Sequence, residues 1–173
     1  MKFKHLAILA LILIIVFLYV VPVHHLTTTE FNTQAALSKW RVNKGSSFTI
    51  RFTHSVMLTP VYEIYRINDK LEIILSETLF FSYGAGLPEN TIYDFEMTEK
   101  GFRIYNINQK QEQLVYRTGA AIANHTLMIN DMEIPFLTFS KPQTAVEFKI
   151  VSGPLIVFLY EEVITWISKK MKM

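Results

Sequence analysis

A chain of 173 residues has room for one ordinary domain with appendages. Half of its residues are hydrophobic and none is cysteine, which excludes disulfides, thiolate nucleophiles and thiolate metal sites. Between His24 and Ser168, twelve Lys and Arg stand against fifteen Asp and Glu, a net charge of −3, and the remaining five lysines sit at the two ends. Scattered cations on an acidic body do not suit nucleic acid, which needs them clustered on one face.

The chain opens with Lys2 and Lys4, then "LAILALILIIVFLYVVPV", Leu6 to Val23, 18 positions without a charge. As a helix this run would be about 27 Å long, the depth of a bilayer core. A cleaved signal has an apolar core of about 7–15 residues ending at small residues of the A-x-A kind. The sequence continues instead as "VPVHHLTTTEF", without such a pair. Residues 1–23 therefore read as an N-terminal transmembrane helix held in membrane lipid, with cleavage as the alternative. The positive-inside rule puts Lys2 and Lys4 in the cytoplasm and the body outside. Residues 24–37, "HHLTTTEFNTQAAL", read as a polar tether.

Residues 38–152 alternate apolar and polar with turn residues at short intervals. "SKWRV" and "SSFTIRFTHSV" flank "NKG", and "VYEIYRI" and "LEIILSETLFFSY" flank "NDK". "TIYDFEM" and "FRIYNI" flank "TEKG", "HTLMI" and "EIPFLTF" flank "NDM", and "TAVEFKIV" follows. About nine strands with hairpin-length links predict an all-β antiparallel sandwich or barrel. Residues 153–173 change period. Glu161, Glu162, Thr165, Ser168 and Lys169 make one polar stripe on a helix, with Leu155, Phe158, Leu159, Val163, Trp166 and Ile167 around it. This amphipathic helix is expected to pack on a sheet, ahead of lying at an anionic lipid surface through Trp166 and the lysines.

The candidate site lies in "RFTHSVMLTPVYEIYRI", residues 51–67. If residues 57–60 form the hairpin loop, Val56 faces Val61, and His54 faces Glu63 among otherwise apolar pairs. Opposed Cβ atoms lie about 4.5–5.5 Å apart, close enough for an imidazole to bond a carboxylate. If "NDK" closes the next hairpin, Leu71 faces Ile67, and Glu77 faces Val61, diagonal to the same pair. A hydrogen-bonded pair that fixes register is the structural reading, because either group left unpaired would be costly. A polar pocket is the functional one. Ser55 points to the opposite face from His54, so no Ser–His relay forms. A metal would need a third ligand, for which Glu77 and His125 are only nominal candidates, so neither metal nor cofactor is assigned. Gly84 and Gly86 permit close backbone approach and Pro88 stiffens the exit of "FSYGAGLPEN", residues 81–90. That loop lacks the GK[ST] of a phosphate loop.

These segments resemble an uncharacterised bacterial family, domain of unknown function 1850, in a pattern like HSV-x-x-TPV-x-E followed by E-T and GAGLP. The chain supplies His54, Ser55, Val56, Thr59, Pro60, Val61 and Glu63, then Glu77, Thr78 and Gly84 to Pro88. With "HTLMINDMEIPF" the match covers most of residues 38–150. Members are often encoded beside TAXI-type TRAP transporters, so the resemblance implies an accessory protein whose partner is the membrane subunit or the solute-binding protein. His54, Ser55, Thr59, Glu63, Glu77, Gly84, Gly86 and Pro88 become its candidate binding residues. The alternative is a small hydrolase acting on an envelope or small-molecule substrate, with His54 as base and Glu63 orienting it. The missing nucleophile weighs against that.

Overall fold

The computed structural model describes residues 2–82, 91–99, 101–119 and 122–171. The chain divides into two compact units, Leu26–Ile150 and a smaller one made of Met1–His25 with Val151–Met173.

Twelve strands are described, against the nine or so expected: β1 (Pro22–Glu30), β2 (Ala36–Val42), β3 (Ser47–Thr53), β4 (Pro60–Ile67), β5 (Ile73–Phe80), β6 (Asp94–Thr98), β7 (Gly101–Tyr105), β8 (Gln109–Lys110), β9 (Leu114–Arg117), β10 (Thr126–Ile129), β11 (Met132–Pro135) and β12 (Ala145–Pro154). They form a four-stranded sheet in the order β2-β1-β12-β9 and an eight-stranded one in the order β11-β10-β3-β4-β5-β7-β6, with β8 on β5. Each register resolved in the larger sheet is antiparallel, as is β9 with β12. The sandwich is thus the form taken.

Alternation explains the core. Phe48, Ile50, Tyr65 and Ile67 of the larger sheet meet Leu114, Val146 and Phe148 of the smaller. Phe48 lies 5.2 Å from Tyr65 and 6.3 Å from Phe148, centroid to centroid, and Phe136 lies 5.5 Å from Phe148. Burying one such side chain contributes about 1.5–3 kcal/mol. Without cysteine, this packing and the ladders hold the body.

The expected tether is a strand instead. Leu26 and Thr28 are buried, the Thr27 hydroxyl donates to the Lys149 carbonyl (3.1 Å), and Phe31 N–H donates to Ala145 (2.8 Å). The run of β-branched threonines suits a strand, and a solvated tether would leave Leu26 in water.

In the smaller unit, α1 (Lys2–Val20) stops short of the expected Leu6–Val23 span, because the chain enters β1 at Pro22. Among the described residues no helix is long and apolar enough to cross a membrane. The second helix, α2 (Leu155–Lys170), follows β12 directly, and its Leu155 N–H donates to the Val21 carbonyl at 3.0 Å. Packing on a sheet was expected of α2. Within this unit only Phe158 is buried among its described side chains, 4.1 Å from the His25 ring, while Leu159, Val163 and Trp166 stay exposed.

Candidate functional site

The β3–β4 ladder pairs Ile50 with Glu63, Phe52 with Val61 and Thr53 with Pro60. His54 therefore does not face Glu63, and the expected pair is corrected. The ladder ends before His54 because the histidine serves its own loop. Its Nδ1 accepts the N–H groups of Val56 (3.3 Å) and Met57 (3.2 Å). Its backbone N–H donates to Thr59 (2.9 Å) and its carbonyl accepts from Leu58 (2.9 Å). Side chains that bond local amides compete with a ladder in this way. Pro60, lacking an N–H, opens β4 rather than closing the loop. The loop is thus residues 54–59, with Leu58 left-handed at φ 54°. Ser55 is exposed, and Thr59 bonds the Ser82 hydroxyl at 2.8 Å, tying this loop to the end of β5.

Glu63 does lie on the inner face of β4, in line with Val61, Tyr65 and Ile67. Its Oε2 accepts the Tyr65 hydroxyl at 3.1 Å and the Tyr116 hydroxyl in a shorter bond, and the two phenols are 2.6 Å apart. Tyr65 is two positions along the same strand and so shares its face. Tyr116 comes from β9 in the other sheet, so the cluster bonds the two layers together. Burial, then the Glu63 charge, pushes the Tyr65 phenol far above its ordinary range. Burial is again the first cause for Tyr116, followed by Tyr65 and Glu63. Both phenols stay protonated and act as donors.

His125 caps this cluster. Its ring lies 5.3 Å from Phe136, 5.6 Å from Phe52 and 5.7 Å from Tyr116, and Gly119 N–H reaches its Nδ1 at 3.4 Å. Burial holds its pKa below the ordinary 6.5, so the ring is a neutral member of an aromatic layer. Tyr65 and Tyr116 are not singled out by the sequence as binding residues, and His125 only as a nominal metal ligand. Only Tyr65 carried a signal, its same-face spacing from Glu63.

Glu77 is elsewhere. It pairs with Ile64, not Val61, on the outer face, after a bulge between Ile64 and Tyr65. Arg103 of β7 holds it through Nε (2.8 Å) and a second guanidinium nitrogen (2.7 Å), and also reaches Glu96 at 3.5 Å. That pairing, Glu77 foremost, raises the Arg103 pKa. Glu77 borders an open polar cleft of about 390 Å³ with Arg66, Ser76, Asn106 and Asn108. Gly84, Gly86 and Pro88 lie outside the described residues. Among the described residues no group of three His, Asp or Glu could hold a metal ion.

The five candidates among the described residues therefore do not form one pocket. Glu63 joins a part-buried inter-sheet cluster, His54, Ser55 and Thr59 belong to a loop, and Glu77 sits on the outer face. Fold and cluster define a two-sheet antiparallel β-domain with a helix at each end of the chain. Residues 48–136 match the family described as Domain of unknown function (DUF1850), and the chain belongs to that family. No curated protein and no solved structure matches the chain.

Proposed function

We propose that this chain is a membrane-anchored accessory protein whose β-domain works outside the cytoplasm, as a binding partner of a TRAP-type solute transporter. One observation carries the anchoring: α1 exposes large apolar side chains on every side, among them Leu6, Leu9, Ile12, Phe17 and Val20. A helix apolar all round has no face suited to water and belongs in lipid or a protein core. Nineteen residues reach about 28 Å, near the ~30 Å hydrocarbon core, and a short segment is accommodated by bilayer thinning and snorkelling flanks. With Lys2 and Lys4 at its start, α1 leads the body outward.

The transporter association rests on the family resemblance. Recognition is preferred to turnover because the groups a hydrolase would use are already engaged. Glu63 accepts two phenols, and His54 Nδ1 accepts two amides of its own loop. That loop instead presents Val56 and Leu58, 69% and 65% exposed, beside the strand end it is tied to by Thr59 and Ser82. Such a tip suits contact with another protein. The full chain, tagged and extracted in mild detergent from its native membranes, should co-purify with a transporter membrane subunit or solute-binding protein. Recovery from the membrane without either would overturn the association.

A further inference from the structure

The C-terminal helix ends in water on a face that water does not suit. Leu159, Val163 and Ile167 succeed one another at the i, i+4 spacing, with Tyr160, Ile164 and Trp166 beside them, and all six are exposed. We propose that α2 is a second lipid-binding element, which lies along the surface of the bilayer and takes anionic lipid headgroups. The proposal rests on α1 being held in that bilayer.

Three observations point to this occupant. First, the Leu155 N–H to Val21 carbonyl bond starts α2 where the apolar helix ends, so an anchored α1 fixes the beginning of α2 at the level of the membrane surface. Second, α2 does not suit a crossing. Its 16 residues reach about 24 Å against ~30 Å of hydrocarbon, and Glu161 and Glu162 in its middle would be costly there. Third, its far end carries the side chains of an interfacial helix. Lys170 Nζ lies 4.9 Å from the Trp166 ring centroid, and the sequence holds Lys169 and Lys172 on either side. Tryptophan prefers the headgroup level, and lysines there are drawn to anionic lipid. With its apolar stripe down, the polar stripe of Glu161, Glu162 and Ser168 remains in water.

The chain contains two tryptophans, which makes the test direct. A Trp40→Phe variant of the full chain leaves Trp166 as the sole tryptophan, excited selectively at wavelengths the tyrosines do not absorb, and the spectral difference between wild type and Trp166→Phe gives the same signal without touching the core. Reconstituted in vesicles of phosphatidylcholine and phosphatidylglycerol, Trp166 should emit at shorter wavelength than in water. Bromines near the headgroup should quench it more than bromines deep in the chains. A Lys169→Glu, Lys170→Glu, Lys172→Glu variant should lose most of that shift while staying in the vesicles. Water-like emission from an anchored chain would overturn the proposal, and so would quenching strongest at the bilayer centre, which would mean a crossing. Release of the whole chain by an alkaline carbonate wash would instead sink the anchor reading, and this one with it.

Discussion

At the scale of single residues, the Glu63 cluster bears on the stability of the sandwich. A part-buried acceptor that loses one of its donors is exposed to at most the desolvation penalty of a buried group, about 1–3 kcal/mol. Tyr116→Phe and Glu63→Gln should each lower stability by up to that amount, and the double variant by clearly less than the two together, because they remove one interaction. His54→Ala and Glu63→Gln should add, since the two side chains share no partner. Urea unfolding of all the variants measures this, and additivity for Tyr116 with Glu63 would show that the bond between the sheets carries no energy. His125 adds a pH dependence. Its folded pKa is held below the 6.5 of the free side chain, so the unfolded chain takes up the proton first. Stability is then fully present above 6.5 and falls as pH drops towards the folded value. A His125→Phe variant, keeping an aromatic ring in the layer, should lose less melting temperature than wild type on acidification below 6.5. Parallel pH curves would remove the histidine from this account.

At the scale of elements, period-two patterning made β3, β4, β5 and β12 legible, and it put Val61, Glu63, Tyr65 and Ile67 on the inner face. Register was the weaker inference, because it depends on turn chemistry that alternation does not encode. The His54 side chain bonds to Val56 and Met57, which enlarged the first turn and separated His54 from Glu63. Asn68 did the same in the second turn. Its Oδ1 accepts from Lys70 (3.0 Å) and Glu72 (2.9 Å), Leu71 goes left-handed, and Ile67 comes to face Ile73. Continued without interruption, that register would have set Glu77 opposite Glu63. The bulge after Ile64 turns Glu77 to the outer face instead. The strands missed were short or atypical: β1 in a threonine run, β8 with two residues and β9 with four. Tyr116 lies on the last of these, 53 positions from Glu63 in the chain, and no local pattern joins them.

At the scale of the whole molecule, the sequence distributes its charge and apolar surface in a way that one environment alone does not satisfy. The acidic body between the terminal lysines has its own core within Leu26–Ile150, built among the described residues from side chains of that unit. On the proposed reading, the apolar surface of α1 is covered by a bilayer and is not needed to fold the body. Ile12 sits near the middle of α1 and is about half exposed. An aspartate at the centre of an inserted helix costs about 2.5–3.5 kcal/mol, which is roughly a hundredfold in partition. Ile12→Asp should accordingly move the chain from the carbonate-resistant pellet towards the soluble fraction, while the thermal melt of the β-domain stays where it is. Ile12→Leu should change neither. If Ile12→Asp remains in the pellet, α1 is not solvated by lipid. If it shifts the melt of the body instead, the helix is part of the fold, and its apolar surface is a packing face of the protein.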